Sequence, residues 1–111
     1  MSRHDVRVTL KQMRDHAQEA IELVAARNRS DLDNDRMLEL SLTRLLEIVG
    51  EAANRVPREQ RTTYSAIPWP DIIGIRNRMI HGYDHVDLDV VWRTIHDDLP
   101  PLVRELDQIL A

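Results

Sequence analysis

Apolar residues recur at three- and four-residue steps along almost the whole chain, and no stretch alternates apolar and polar residues as a half-buried strand would. That periodicity dictates helices packed face to face. In the first third the stripe is Val6, Leu10, Met13, Ala17, Ala20 with Ile21, and Val24. Ser2, followed three residues later by Asp5, has the spacing of a capping box, so a first helix is expected to run from there to about Asn28. Ser30-Asp31-Leu32-Asp33-Asn34 reads as loop and N-cap, because short polar side chains accept orphan backbone N–H groups. The second helix carries Leu38, Leu42, Leu45, Val49, Ala52 and Val56, flanked by Met37, Leu40, Leu46, Ile48 and Ala53. An apolar face that wide exceeds what one neighbour covers, so this helix is central or also meets a partner chain.

Pro57 stops that helix, and Arg58 to Ser65 reads as a short helix or loop. Pro70 is acceptable only in the first turn of a helix, so the next one begins there, carries Ile72, Ile73, Ile75, Met79 and Ile80, and is expected to fray at Gly82. The last stripe, Leu88, Val91, Trp92, Ile95, Leu99, Leu102, Leu106 and Ile109, follows Asp87 as a plausible N-cap, and Pro100-Pro101 forces a kink or break. The expectation is an all-α domain over residues 1–111, with four main helices and no strands.

Several functions are excluded by what the 111 residues lack. There is no Cys and only 3 Gly, which removes thiolate metal sites, a Cys nucleophile and the glycine-rich phosphate loops. The net charge of −4 argues against a constitutive nucleic-acid coat, yet residues 54–83 alone sum to +3. Of the basic residues 14 are Arg and one, Lys11, is Lys. That bias suits forked phosphate contacts, and a GC-rich genome also produces it. No run suits a membrane span, and Met1-Ser2-Arg3-His4-Asp5 leads into no apolar signal core, so a soluble, cytoplasmic protein without membrane contact is expected.

Chemistry concentrates in Arg76-Asn77-Arg78-Met79-Ile80-His81-Gly82-Tyr83. Five residues on an ideal helix rotate His81 by about 140° from Arg76, so the two do not address one spot unless the helix ends there or Arg76 reaches round. Gly82 is the expected ending. A His can pass protons at neutral pH, and Arg offers a planar fork to a phosphate and to the charge of a pentacoordinate transition state. These are the parts of a metal-free RNA cleavage by the adjacent 2′-hydroxyl. The plainer alternative is an exposed Arg-rich helix end with a His that caps carbonyls.

The octapeptide resembles the Arg-x(4)-His-x-Tyr signature of the HepT-like toxins of the HEPN superfamily. The resemblance extends to Ile48-Val49-Gly50-Glu51-Ala52-Ala53-Asn54-Arg55-Val56, to Ile67-Pro68-Trp69-Pro70-Asp71-Ile72-Ile73-Gly74, and to Val86–Leu110 with its Leu-Pro-Pro kink. It implies a four- to five-helix, up-and-down HEPN bundle acting as a homodimer, with the Arg and His of both protomers around one cleft. It further implies the toxin of a type VII HEPN/MNT toxin–antitoxin pair, a metal-independent endoribonuclease whose partner is a minimal nucleotidyltransferase, with hetero-oligomers of the two as a further assembly. By the same resemblance Arg76 and His81 are the catalytic residues, Asn77 supports the site, and Tyr83 is the hydroxyl that receives AMP. No cofactor is implied. A homodimer would also bring two copies of the +3 segment around one cleft, where a focused positive field can steer RNA. The alternative from another class is a catalytically inactive HEPN module that recruits nucleotide or substrate for the nucleotidyltransferase.

Other residues read more simply. His81 and His85 lie four apart with Asp84 between them, but Gly82 interrupts the helix and no third ligand is evident, so no metal is expected. His4, His16 and His96 fall on polar helix faces. Trp69 and Trp92 could stack on bases, although in a chain without Phe they fit better as core or interface anchors. The acidic residues from Asp84 to Asp107 form a solvated face or meet a basic partner surface.

Overall fold

The computed structural model describes residues 2–81 and 85–111. Helix α1 (Arg3–Val24) starts at the expected capping box: the Ser2 hydroxyl accepts the Asp5 N–H at 3.1 Å, and the Asp5 carboxylate accepts the Ser2 N–H at 3.2 Å. Its whole stripe from Val6 to Val24 is buried, apart from the half-buried Ile21. The helix stops at Val24 rather than near Asn28, because Asn28 starts the next element and its N–H goes to the Asp31 carboxylate at 2.8 Å. The segment expected to be loop is thus a short helix, α2 (Arg29–Asn34), whose Leu32 is sunk into the core. Polar caps and one buried leucine are enough to wind a single turn there.

Helix α3 (Arg36–Arg55) begins at Asp35, which accepts the Leu38 N–H at 3.0 Å, and buries every residue of its stripe. Of the flanking set Leu46 and Ala53 are buried and Ile48 is half-buried, whereas Met37 and Leu40 stay 78% and 52% exposed. Helix α4 (Arg58–Thr63) follows Pro57. The single helix expected from Pro70 onward is divided into α5 (Trp69–Ile73) and α6 (Ile75–Met79). The division falls at Gly74, whose N–H bonds back to the Pro70 carbonyl while the Arg78 side chain takes the Asp71 carbonyl. Trp69 is a core anchor: it is buried, and its indole N–H donates to the Arg61 and Tyr64 carbonyls, each at 3.1 Å.

Helix α6 ends at Met79, three residues before Gly82, because Ile80 turns to an extended conformation with ψ 128°. Strand β1 (Ile80–His81) then pairs antiparallel with β2 (His85–Val86), Ile80 opposite Val86 and His81 opposite His85. The Asp87 N–H closes the unit on the Met79 carbonyl at 2.7 Å. The expectation of no strands is corrected here. A two-residue ladder is too short to leave an alternating pattern, and its signal is confined to β-branched Ile80 and Val86.

Helix α7 (Leu88–Arg93) is capped by Asp87 as expected and runs directly into a π turn (Thr94–Asp98) and α8 (Leu99–Leu110). Pro100 and Pro101 have no N–H for the carbonyls of His96 and Asp97, and the Leu99 N–H reaches back five residues to Thr94. The irregularity forced by the proline pair therefore appears one turn upstream of it. Helix α1 packs on α3 and α8, and α3 also receives α5, α6 and α7, so α3 is the central helix of this all-helical bundle. One hydrophobic core runs from Val6 to Leu106. Among the described residues, no helix is long and apolar enough to cross a membrane.

Candidate functional site

Two antiparallel walls build the site. A Cβ on Gly50 would lie 3.3 Å from the Ile72 carbonyl oxygen, so α3 and α5 meet backbone to backbone. One turn earlier on α3, the Glu47 carboxylate lies 4.0 Å from Nε of Arg76 on α6. Close approach at Gly50 thus sets the height at which α6 stands beside α3. Arg76 keeps 63% of its side chain exposed, and Asn77 beside it is exposed as well. Glu47 is three-quarters buried and also faces Arg44 at 3.9 Å, while Arg44 reaches Glu51 at 3.4 Å. The result is a row of alternating charge along the outer face of α3, ending at Arg76.

The chain leaves the helical screw at Ile80, so the 140° offset between Arg76 and His81 on a continuous helix no longer applies. The backbone of His81 is fixed by the ladder opposite exposed His85. The His81 side chain, the expected helix stop Gly82, the expected modification site Tyr83, and Asp84 lie outside the described residues.

Arg78 differs from Arg76. Its guanidinium donates to the Asp71 carbonyl at 2.6 Å and to Asp98 at 3.4 Å, bracing α6 against α5 and the π turn. Arg55 donates to Gln12, and Arg61 to the carbonyls of Val56 and Asn54. Within this chain the +3 of residues 54–83 is therefore dispersed between the α3–α4 end and the α6 end. A contiguous basic stripe occurs where segment averages hid it. His4, Arg7, Lys11 and Arg14 line a groove of about 480 Å³ between α1 and the end of α8, together with Asp15 and Asp107. Hydrogen bonding to Asp107 at 2.7 Å raises the Arg14 guanidinium above its ordinary value.

Sequence reading missed Glu47. Its signal was present: a lone carboxylate between apolar Leu46 and Ile48, three residues before the glycine that permits the α3–α5 contact. Trp92 is half-buried with its ring centroid 4.1 Å from that of His96, and the His96 Nδ1 lies 2.8 Å from the Trp92 carbonyl, which fits an anchor rather than a base-stacking platform. His4 and His96 are exposed, and His16 is half-buried with Nδ1 2.7 Å from the Gln12 carbonyl.

In this helical bundle the short helix that bears Arg76 thus runs directly into the ladder strand that bears His81. Residues 13–109 match the family described as Ribonuclease HepT-like, and the chain belongs to that family, as the four sequence blocks led us to expect. A protein of Caldanaerobacter subterraneus subsp. tengcongensis named "Putative RNase" is 37% identical over 90 residues, 81% of this chain and 80% of that protein. The "Probable ribonuclease HepT" of Thermococcus cleftensis is 33% identical over 95 residues, 82% of this chain and 86% of that protein. A "Putative RNase" of Methanocaldococcus jannaschii is 29% identical over 107 residues, 96% of this chain and 98% of that protein. No solved structure matches the chain.

Proposed function

We propose that this chain is a single-domain, cytoplasmic endoribonuclease toxin that cleaves RNA without metal through Arg76 and His81, and that a partner nucleotidyltransferase silences it by adenylylating Tyr83. The observation that carries the reading is Arg76: an exposed guanidinium, held near a carboxylate by its Nε side only, on a helix that ends three residues later and hands the chain to His81. Membership of a family described as ribonucleases supplies the reaction class.

In the proposed step His81 removes the proton from the 2′-hydroxyl, the 2′-oxygen bonds to phosphorus, and the P–O5′ bond breaks. The leaving 5′-oxygen takes a proton from the second His81 of a homodimer or from water. A 2′,3′-cyclic phosphate and a 5′-hydroxyl result. Arg76 stabilises the charge on the non-bridging oxygens, where preorganised donors contribute most, and Asn77 adds a neutral donor beside it. Exposed Met37 and Leu40 on α3 and Ile80 just after α6 are large apolar side chains left uncovered in the single chain, which supports dimerisation. Adenylylation joins the Tyr83 oxygen to the α-phosphorus of a nucleoside triphosphate and releases pyrophosphate. The added bulk and negative charge, two residues from His81, block the place where an RNA phosphate docks.

End-mapping of RNA after brief induction tests this. Cyclic-phosphate and 5′-hydroxyl ends should form in the presence of chelator, and should vanish with His81→Ala or Arg76→Ala. Wild-type cells with intact RNA and normal growth would replace the nuclease reading with that of an inactive module serving the nucleotidyltransferase. Co-expression with the neighbouring nucleotidyltransferase should add AMP mass to the wild type and none to Tyr83→Phe.

A further inference from the structure

Among the described residues Glu47 is the only carboxylate within 4.0 Å of Arg76, and its approach, at 4.0 Å to Nε, is an ion pair without a hydrogen bond. The two terminal nitrogens, the edge that grips a phosphate in a two-pronged contact, make no hydrogen bond among the described residues. Glu47 is rooted in the central helix and three-quarters buried, whereas Arg76 stands on a five-residue helix and is mostly exposed. The immobile partner therefore restrains the mobile one. We infer that Glu47 is the positioning residue of the site: it holds Arg76 by its inner side and turns the outer edge toward the RNA phosphate.

The inference rests on the ribonuclease reading of Arg76 and adds a residue to it. An arginine side chain has several rotatable bonds, and each rotamer-rich side chain ordered on binding costs affinity or rate. A carboxylate that restricts those rotamers beforehand lowers this cost, and the geometry gives it two further properties. Because it is an anion close to a phosphate site, it weakens ground-state binding of RNA while favouring the arrangement needed in the transition state. Because it acts through Arg76 alone, its effect disappears when Arg76 can no longer use its Nε. Arg44 approaches the same Glu47 oxygen at 3.9 Å, so the control is Arg36, which pairs with Glu39 at 2.9 Å at the start of α3 and makes no contact with Glu47.

The test compares wild type, Glu47→Gln, Arg36→Ala, Arg76→Lys and the Glu47→Gln/Arg76→Lys double variant. Turnover is measured on a cleavable RNA oligonucleotide, and affinity on its 2′-O-methyl analogue. Glu47→Gln is expected to lower kcat by about 2- to 10-fold, from the ordering cost of one long side chain, with the Kd for the analogue unchanged or tighter. Arg36→Ala should leave kcat unchanged. In the Arg76→Lys background Glu47→Gln should cost nothing more, an outcome that a merely structural role would not produce. If Glu47→Gln fails to fold, Glu47→Asp carries the test, with a smaller loss of kcat and the same coupling to Arg76. Full turnover by the folded Glu47 variant, or a loss that adds fully on Arg76→Lys, overturns the inference while leaving Arg76 catalytic. Wild-type turnover by Arg76→Ala overturns both.

Discussion

Two arginines two residues apart on α6 should give opposite phenotypes when each is replaced by alanine. Arg78 makes a charge-assisted hydrogen bond of 2.6 Å to the Asp71 main-chain carbonyl, which contributes about 1.5 kcal/mol. Its second contact, 3.4 Å to Asp98, is a half-exposed ion pair contributing about 0.5 kcal/mol. Arg78→Ala should therefore cost about 2 kcal/mol. A 111-residue chain at about 2.1 cal/mol/K per residue unfolds with an entropy near 0.23 kcal/mol/K, so the melting temperature should fall by about 9 °C. Arg76 has one contact at 4.0 Å and is mostly exposed, so Arg76→Ala should shift the melting temperature by less than about 2 °C. Activity should divide the other way. Losing one donor to a developing phosphorane charge costs about 100- to 1000-fold in kcat, whereas Arg78→Ala should cleave normally per folded molecule below its transition. Thermal melts by circular dichroism and single-turnover cleavage at 20 °C decide the matter. Equal melting shifts for the two variants, or an inactive but fully folded Arg78→Ala, would refute the division of labour.

Three further outcomes follow from the packing. Gly50→Val places branched carbons against the Ile72 and Ile73 carbonyls, already 3.3 and 3.6 Å from a single Cβ, and should destabilise by about 1–3 kcal/mol in chemical denaturation. Thr43 on α3 has a buried hydroxyl without a hydrogen-bond partner among the described residues, so Thr43→Val should hold or raise the melting temperature; a clear fall would show that the hydroxyl does find a partner. The hydrogen bonds from Ser2 hold the Asp5 carboxyl below its ordinary 3.8. A depressed carboxylate contributes stability that is present above that value and lost as pH falls through the lower folded one. Denaturation at pH 6 and pH 2.5 should therefore show a smaller Ser2→Ala penalty in acid, the remainder being the cap bond from the Asp5 N–H, and an equal penalty at both values would contradict the linkage.

The long helices were legible because burial repeats along them: each stripe residue on α3, from Leu38 to Val56, is in the core. The Ser2–Asp5 and Asp87 caps were legible for a local reason, since a cap needs only its own few residues. The break at Gly74 was not. It follows from the Asp71 carbonyl being claimed by Arg78 seven residues on and from the height at which Gly50 admits α5, both tertiary facts. The α2 turn and the Ile80–His81 ladder were missed because elements of two to six residues carry too few positions for a period. In the site, the spacing that marks Arg76 and His81 as candidates was plain, whereas Glu47 stands 29 positions before Arg76 and meets it only once α3 and α6 are packed. Charge summed along sequence does not show where each guanidinium goes within the chain, since Arg55, Arg61 and Arg78 donate to carbonyls and side chains in different places.

The π turn between α7 and α8 bears on how chains of this kind are compared. Val91, Ile95 and Leu99 are all buried although they are spaced four and four, which on a regular α-helix would carry the third about 80° past the first. The wider winding from Thr94 to Asp98 absorbs that drift and returns Leu102 and Leu106 to the core. A single extra residue is thus stored as a change of pitch inside a continuous helix. A relative lacking one residue here should differ in winding and not in a loop, and an alignment that moved such a gap to the nearest turn would rotate every later core position out of register.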